Sequence, residues 1–132
     1  MYQVTNDARK RTIFVRMSGL LRADEMQEWA RAYKEATDAY AGAPHLVLAD
    51  MRGMHPAEDT AAAIMRNAIG YARQRGVACC AHLSDSTVQK LQALRLAREA
   101  TPNDDVTVNV VSVAEAERVI AEARVKLESH RR

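Results

Sequence analysis

His45-Leu46-Val47-Leu48-Ala49-Asp50-Met51 is the stretch of this sequence that determines its fold class. The run is almost continuously apolar, has the length of a strand, and lies between Pro44 and Gly53. A strand inside a parallel sheet is covered on both faces, so it lacks the alternation of polar and apolar residues found in half-exposed strands. The stretch therefore predicts a buried central strand, which needs other strands beside it and helices packed against the sheet.

Strand-like and helix-like segments alternate on both sides of this central run. The strand-like segments are short and apolar, and the helical segments place apolar residues three or four positions apart on one face. Three helix starts have capping-box spacing, with Asp or Ser three residues before Gln or Glu. The capping pairs are Asp24 with Gln27, Ser86 with Gln89 and Ser112 with Glu115; the strands are expected at 2–5, 12–17, 45–51, 77–83 and 106–111, and the helices from 24 until Gly42, at 57–75, at 86–100 and from 112 to 127.

The resulting order is β-β-α-β-α-β-α-β-α, which predicts a single α/β domain. Strands joined through helices make right-handed crossovers and run parallel, so we expect one mainly parallel five-stranded sheet with four helices. A short polar turn joins the first two strands, and the first strand is therefore expected to lie antiparallel at an edge. The domain is expected to span residues 1–127, and residues 128–132 are expected to fray.

The apolar faces of three predicted helices are interpreted as parts of the core. The face of the first helix is rich in aromatic residues, and a core position is favoured for it over an interface or a cofactor site. The predicted core positions are Met26, Trp29, Tyr33, Thr37 and Tyr40 on the first helix, Ala61, Ile64, Met65, Ala68 and Ala72 on the second, and Val113, Ala116, Ile120, Ala123 and Leu127 on the last.

Composition and charge exclude several classes of protein. The 132 residues suit one domain, and Lys plus Arg exceeds Asp plus Glu by only 19 − 17 = 2, which gives no case for nucleic-acid binding. No apolar run approaches the roughly 20 residues that cross a bilayer, and no signal pattern opens the chain, so a cytoplasmic protein without membrane contact is expected. Cys79 and Cys80 are neighbours whose side chains point to opposite faces of a strand, which favours two reduced thiols over a disulfide.

Three segments of the chain resemble the STAS domain, the module shared by sulfate-transporter tails and sporulation anti-sigma-factor antagonists. Residues 13–21 (IFVRMSGLL) are similar to the early strand of that family, and residues 46–54 (LVLADMRGM) resemble its central strand, which ends Asp-Leu-Ser-Gly-Val. Residues 108–116 (VNVVSVAEA) resemble its last strand and the start of the helix that follows. The resemblance implies the same fold and a regulatory role through protein–protein contact.

The resemblance also identifies a candidate phosphorylation site. Antagonists of the STAS family are phosphorylated on a serine in an Asp-Ser-Ser-Gly motif at a helix start, and that motif is absent here. Residues 57–61 (AEDTA) take its place, so Thr60, preceded by Asp59, would correspond to the modified serine. A phosphate is tolerated at a helix N-terminus, but Glu58 and Asp59 would repel it, which favours a divergent relative without the switch.

Polar residues follow the central strands, where ligands of parallel sheets usually bind. They form a candidate ligand or partner site at the carboxyl ends of the strands, with a hydrolytic or small-ligand-binding domain as the alternative function. The competing interpretation is that they cap helices or pair with one another, because no Gly-x-Ser-x-Gly elbow, compact zinc spacing or phosphate-binding Gly-rich loop is present. No cofactor and no metal are therefore expected; the candidate residues are Asp50, Arg52, His55, Asp59, His82 and Ser84.

The predicted helix at 86–100 has an unusual distribution of side chains. Arg95 and Arg98 fall within its apolar arc, whereas Leu96 points nearly opposite. One interpretation is that the aliphatic parts of the arginine side chains cover the rim of the core while the guanidinium groups reach water. The other is a small protein interface, since interfaces are enriched in arginine.

These observations predict a non-catalytic STAS-like regulatory or scaffold module that binds a protein partner or associates with itself as a homo-oligomer. A structural subunit of a larger assembly is a further alternative that the sequence does not separate from it. An enclosed pocket at the strand ends would favour ligand binding, and a shallow open surface there would favour docking.

Overall fold

The computed structural model describes residues 1–85, 91, 94, 95, 98, 99 and 106–129. Its five strands form one sheet in the order of the sequence; the first pair is antiparallel and every later pair is parallel. This arrangement confirms the predicted α/β class and the antiparallel edge strand. The elements are β1 (Tyr2–Asp7), β2 (Thr12–Met17), α1 (Ala23–Asp38), β3 (His45–Asp50), α2 (Asp59–Gln74), β4 (Val77–Leu83), β5 (Thr107–Val110) and α3 (Val113–Ser129).

Most of the helix expected at 86–100, including the capping pair Ser86 and Gln89, lies outside the described residues. Three helices are therefore bounded here, and the predicted total of four is not confirmed. The described residues of that segment are in helical conformation; they are Leu91, Leu94, Arg95, Arg98 and Glu99.

The sheet lies between two layers of helix. Helices α1 and α2 pack together over one face, on which Val47 and Cys80 belong to the larger core cluster. Helix α3 covers β3, β4 and β5 on the other face, where Leu46 is buried and Cys79 is partly buried. The side chains of adjacent strand residues thus enter opposite cores, as predicted for the central strand and for the two cysteines.

Most predicted core faces are buried as expected. On α1 these are Met26, Trp29, Tyr33 and Thr37, and on α2 the four positions from Ala61 to Ala72 at helical spacing are buried. On α3 the prediction was wrong for Val113, which is 43% exposed because it is the first residue of the helix and precedes the turn that packs on the sheet.

Helix ends were predicted less well than helix faces. Helix α1 begins at Ala23 and its N-cap, Arg22, makes no side-chain capping bond, so the capping box expected at Asp24 is not formed. Tyr40 lies beyond the helix, in a turn where Ala41 and Gly42 have positive φ.

Two further boundaries differ from the sequence-based expectation. Helix α2 begins at Asp59 rather than at 57, because its N-cap, Glu58, is extended. Helix α3 continues through Ser129, two residues past the helix end expected at 127, and the Ser129 hydroxyl donates to the Val125 carbonyl. The Ser112 cap is confirmed, since its Oγ accepts from the Glu115 N–H at 3.1 Å.

Candidate functional site

The carboxyl ends of β2, β3 and β4 are tied together by backbone hydrogen bonds. The Gly19 N–H donates to the Gly53 carbonyl at 2.8 Å, and the His55 N–H donates to the Gly19 carbonyl at 2.9 Å. The Met51 N–H donates to the Leu83 carbonyl at 2.8 Å. These bonds fix the loops that follow the strands, and we call the surface formed by Leu20, Arg52, His55, Asp85 and Val111 the carboxyl edge.

Asp50, the last residue of β3, is held by two arginines. Its Oδ1 accepts from Arg52 Nε at 3.0 Å, and its Oδ2 accepts from the Arg52 terminal nitrogen at 2.9 Å and from Arg16 at 3.3 Å. The hydrogen bonds from Arg52 and the charges of both arginines hold the pKa of the Asp50 carboxyl below its usual value. Asp50 is therefore ionised and paired, as one of the two sequence-based interpretations expected.

The remaining predicted site residues at this edge do not converge on a common point. His55 and Asp59 are exposed, whereas Ser84 is buried. The carboxylate of Asp85 accepts from the Gly53 N–H at 3.3 Å and is thus bound to the loop. Thr60, the candidate for phosphorylation, is exposed in the first turn of α2.

His82 does not join Asp50. In the register of β3 and β4, Asp50 lies beside Leu83 and His82 lies beside Ala49, so the side chains of Asp50 and His82 point to opposite faces of the sheet. The sheet therefore divides the predicted cluster. Within the described part of the chain, no group of three His, Cys, Asp or Glu side chains is arranged to hold a metal ion.

His82 instead borders a cavity of about 40 Å³ between the sheet and helices α1 and α2. The imidazole Nδ1 of His82 and the indole Nε1 of Trp29 are buried there without a hydrogen-bond partner among the described residues. Most of the other side chains around the cavity are apolar. Its described lining consists of Val15, Trp29, Tyr33, Val47, Ala49, Met51, Met65, Ile69, Arg73, Cys80, His82 and Thr107.

Burial sets the ionisation of the groups around this cavity. Desolvation lowers the pKa of His82 to about 4, so its imidazole is neutral at pH 7. Burial also raises the pKa of Tyr33, whose ring stacks on Trp29 with centroids 5.2 Å apart. Arg73 is the charged side chain of the described lining, and its guanidinium donates to Thr107 Oγ1 at 2.7 Å.

Trp29 is the candidate residue that the sequence reasoning favoured as a core residue and did not include among the site residues. The sequence contained one indication of this role, because the indole N–H of a buried Trp usually donates to an acceptor. The other buried residues of α1 are Met26, Ala30, Tyr33 and Thr37, and none of them accepts a hydrogen bond from Trp29 Nε1. A buried Trp on such a face marks a position where a bound group could complete the hydrogen bonding.

The carboxyl edge exposes both apolar and charged side chains to solvent. Leu20 is 43% exposed after β2, and Val111 is 78% exposed after β5. Beside this edge, α3 leaves the β1–β2 side of its face uncovered, and a shallow groove there contains the partly buried Phe14 and Leu48 next to Arg16. Apolar and arginine side chains thus share one accessible surface.

The interface candidates of the 86–100 segment are described in part. Arg95 and Arg98 are exposed, and Leu96 lies outside the described residues. Glu99 is 3.8 Å from Arg95 Nε and 3.2 Å from Arg66 of α2. The assignment of these arginines to an interface stays a prediction.

Comparison with known proteins finds no matching family model, no matching curated protein and no matching solved structure. Across the described residues, every helix is too short or too polar to span a bilayer.

Proposed function

We propose that this chain is a non-catalytic STAS-like regulatory or scaffold module that docks through its carboxyl edge onto a protein partner or a second copy of itself. The support for the docking role is the state of the polar groups at that edge. Asp50 is paired with Arg16 and Arg52, and Asp85 is bound to the backbone of Gly53. These groups are engaged with the protein itself beside the exposed side chains of the edge, the arrangement expected of a docking face.

The composition of the edge also supports docking. Interfaces are enriched in arginine and have apolar residues at their centre. The carboxyl edge combines Arg52 with the exposed Leu20 and Val111, on loops that backbone hydrogen bonds hold in place. A surface that is already ordered loses little conformational entropy when a partner binds.

Under the resemblance to STAS modules, Thr60 corresponds to the serine on which those modules are phosphorylated. It is exposed in the first turn of α2, where free N–H groups favour an anion. Glu58 and Asp59 are exposed beside it, and their charges oppose a phosphate. The proposed docking does not require this modification, which stays a prediction.

The proposal is tested by changing one apolar and one charged residue of the edge. Leu20→Asp and Arg52→Glu are expected to weaken self-association or partner binding at least tenfold, because each puts a carboxylate into the contact and like-charge or desolvation costs exceed about 1.4 kcal/mol. Val125→Asp and Arg31→Glu are the matched controls, since both residues are exposed on helices away from the edge.

Sedimentation velocity gives the size of the purified protein, and quantitative affinity purification compares the proteins retained by wild type and by each variant. A larger assembly, or a retained protein, that is lost with both edge variants and kept with both controls is the expected result. A monomer at every concentration, together with identical retained proteins for wild type and edge variants, would exclude this docking surface.

The alternative of a small-ligand-binding domain is favoured by a different observation. Trp29 and His82 both line one cavity on the helical side of the sheet, and each has a buried polar atom without a hydrogen-bond partner among the described residues. This site differs from the strand-end cluster that the sequence suggested, because only His82 is common to both. A structural subunit of a larger assembly would use the same carboxyl edge as the proposed module.

A further inference from the structure

The cavity beneath α1 and α2 is lined by two side chains from different elements, Trp29 and His82, each with a buried polar atom that has no hydrogen-bond partner among the described residues. Trp29 of α1 is 2% exposed and His82 of β4 is 6% exposed, so bulk water reaches neither side chain freely. A buried polar group that makes no hydrogen bond destabilises the folded protein. Two such groups on the wall of one cavity are therefore better explained by a bound group than by packing alone.

The chemistry of the two atoms restricts what can bind. The indole of Trp29 only donates, so the bound group must contain an acceptor. The imidazole of His82 is neutral at pH 7, and its Nδ1 donates in one tautomer and accepts in the other. A hydroxyl is suited to both tautomers, because its oxygen accepts and its hydrogen donates.

The surroundings favour an uncharged molecule with an apolar body. Val15, Val47 and Ile69 are among the apolar wall residues, and the guanidinium of Arg73 already donates to Thr107. A cation would be repelled by the Arg73 guanidinium, and an anion would lose most of its hydration against the apolar walls for contact with a guanidinium that already donates to Thr107. An aliphatic body would instead gain from contact with them.

The volume restricts the size of the molecule. A cavity of about 40 Å³ has room for a hydroxyl and little more in the present arrangement of the side chains. Met51 and Met65 also line it, and methionine side chains adapt their shape readily. A body of a few carbon atoms could be admitted by a change in these two side chains.

We infer that this cavity is a binding site for a small uncharged aliphatic alcohol, whose hydroxyl group bonds to Trp29 or His82 and whose body packs against Met51, Met65 and Ile69. The inference goes beyond the proposed docking function and involves none of the exposed residues of the carboxyl edge. Loss of one function by mutation can therefore be separated from loss of the other.

The test uses the one tryptophan of the chain as its own reporter. In a proton–nitrogen correlation spectrum of the labelled full-length protein, the indole N–H of Trp29 gives a single resonance. Titration with isobutanol is expected to move this resonance downfield and to saturate in the millimolar range. Isobutyrate, the charged analogue of similar shape, is expected to bind at least tenfold more weakly.

Two variants and one control test whether the shift of the Trp29 resonance arises from binding in the cavity. His82→Leu is expected to weaken binding about fivefold to tenfold through loss of one hydrogen bond. Ile69→Phe is expected to abolish it by filling the space. His55→Leu makes the same chemical change as His82→Leu at an exposed position and is expected to bind normally.

A linear shift without saturation, equal effects of isobutanol and isobutyrate, or unchanged binding by a folded His82→Leu or Ile69→Phe protein would each overturn the inference. If neither variant folds, titration of the wild-type protein still tests the inference, because equal binding of isobutanol and isobutyrate would overturn it.

Discussion

At the scale of single residues, His45 and His82 are both buried, and they differ in what their ring nitrogens meet. The Nδ1 of His45 donates to the Ala43 carbonyl at 2.9 Å, which leaves its Nε2 to accept from the Thr37 hydroxyl at 2.6 Å. Its ring also stacks on Tyr40. His45 is therefore fully used in joining α1 to β3, whereas the Nδ1 of His82 has no such partner among the described residues.

The lowered pKa of His82 predicts a loss of stability in mild acid. Its pKa falls from 6.5 to about 4 on folding, so the unfolded chain takes up the proton first as the pH is reduced. The free energy of unfolding is not reduced by His82 protonation above pH 6.5. As the pH falls from 6.5 toward 4, it decreases by about 1.4 kcal/mol per pH unit. Between pH 7 and pH 5 this amounts to about 2 kcal/mol.

Urea unfolding at the two pH values measures the effect. In His82→Leu, the decrease in the free energy of unfolding between pH 7 and pH 5 should be about 2 kcal/mol smaller than in wild type. Equal pH dependence for His82→Leu and wild type would contradict the lowered pKa.

At the scale of elements, the central strands were predicted best and the grouping of their polar ends was predicted worst. The run 45–51 is apolar at nearly every position and flanked by Pro44 and Gly53, so local pattern alone indicated a covered strand. The faces taken by Asp50 and His82 depend on the register of β3 against β4. Register arises from long-range packing, and a change of one residue exchanges the two faces.

Helix starts were missed for a related reason. The capping-box pattern at Asp24 and Gln27 is a local signal, but Asp24 uses its carboxylate on the neighbouring Glu25 N–H at 2.9 Å, and the helix begins one residue earlier. The same pattern at Ser112 and Glu115 predicted a cap that is present. Capping residues indicate that a helix begins nearby, and tertiary packing fixes the exact residue.

The contact between two turns gives a prediction at this scale. Gly76, between α2 and β4, has φ +105°, and a Cβ there would lie 2.7 Å from the Ala43 carbonyl oxygen and 2.9 Å from that of Gly42. Gly76→Ala is therefore expected to lower the free energy of unfolding by about 3 kcal/mol, through backbone strain and steric overlap together.

Gly19→Ala separates the two causes. Gly19 has φ +70° with open space around its Cβ position, so only the strain of about 1–2 kcal/mol is expected there. Chemical denaturation of both variants measures the difference. Equal losses for the two substitutions would show that the close approach of the turns at Gly76 has no energetic effect.

At the scale of the whole molecule, hydrogen bonds join the last helix, α3, to the turn between β1 and β2. Arg124 of α3 donates through Nε to the Lys10 carbonyl at 2.9 Å and through its terminal nitrogen to Thr12 Oγ1 at 3.3 Å. Thr12 is fully buried, and its hydroxyl donates to the same Lys10 carbonyl at 2.8 Å. The three residues form one network between the β1–β2 turn and the last helix.

This network is expected to stabilise the packing of α3 on the sheet, so removal of the Arg124 side chain should destabilise the protein. Arg124→Ala is expected to lower the free energy of unfolding by about 1–2 kcal/mol, because it removes two hydrogen bonds from a charged donor that is only partly buried. Arg118→Ala removes the same side chain from an exposed position of α3 and is expected to cost less than about 0.5 kcal/mol. Urea unfolding followed by circular dichroism measures both variants. If the two cost the same, α3 is held by the apolar contacts of Ala116 and Ile120 alone, and the polar network adds nothing to the closure of the chain.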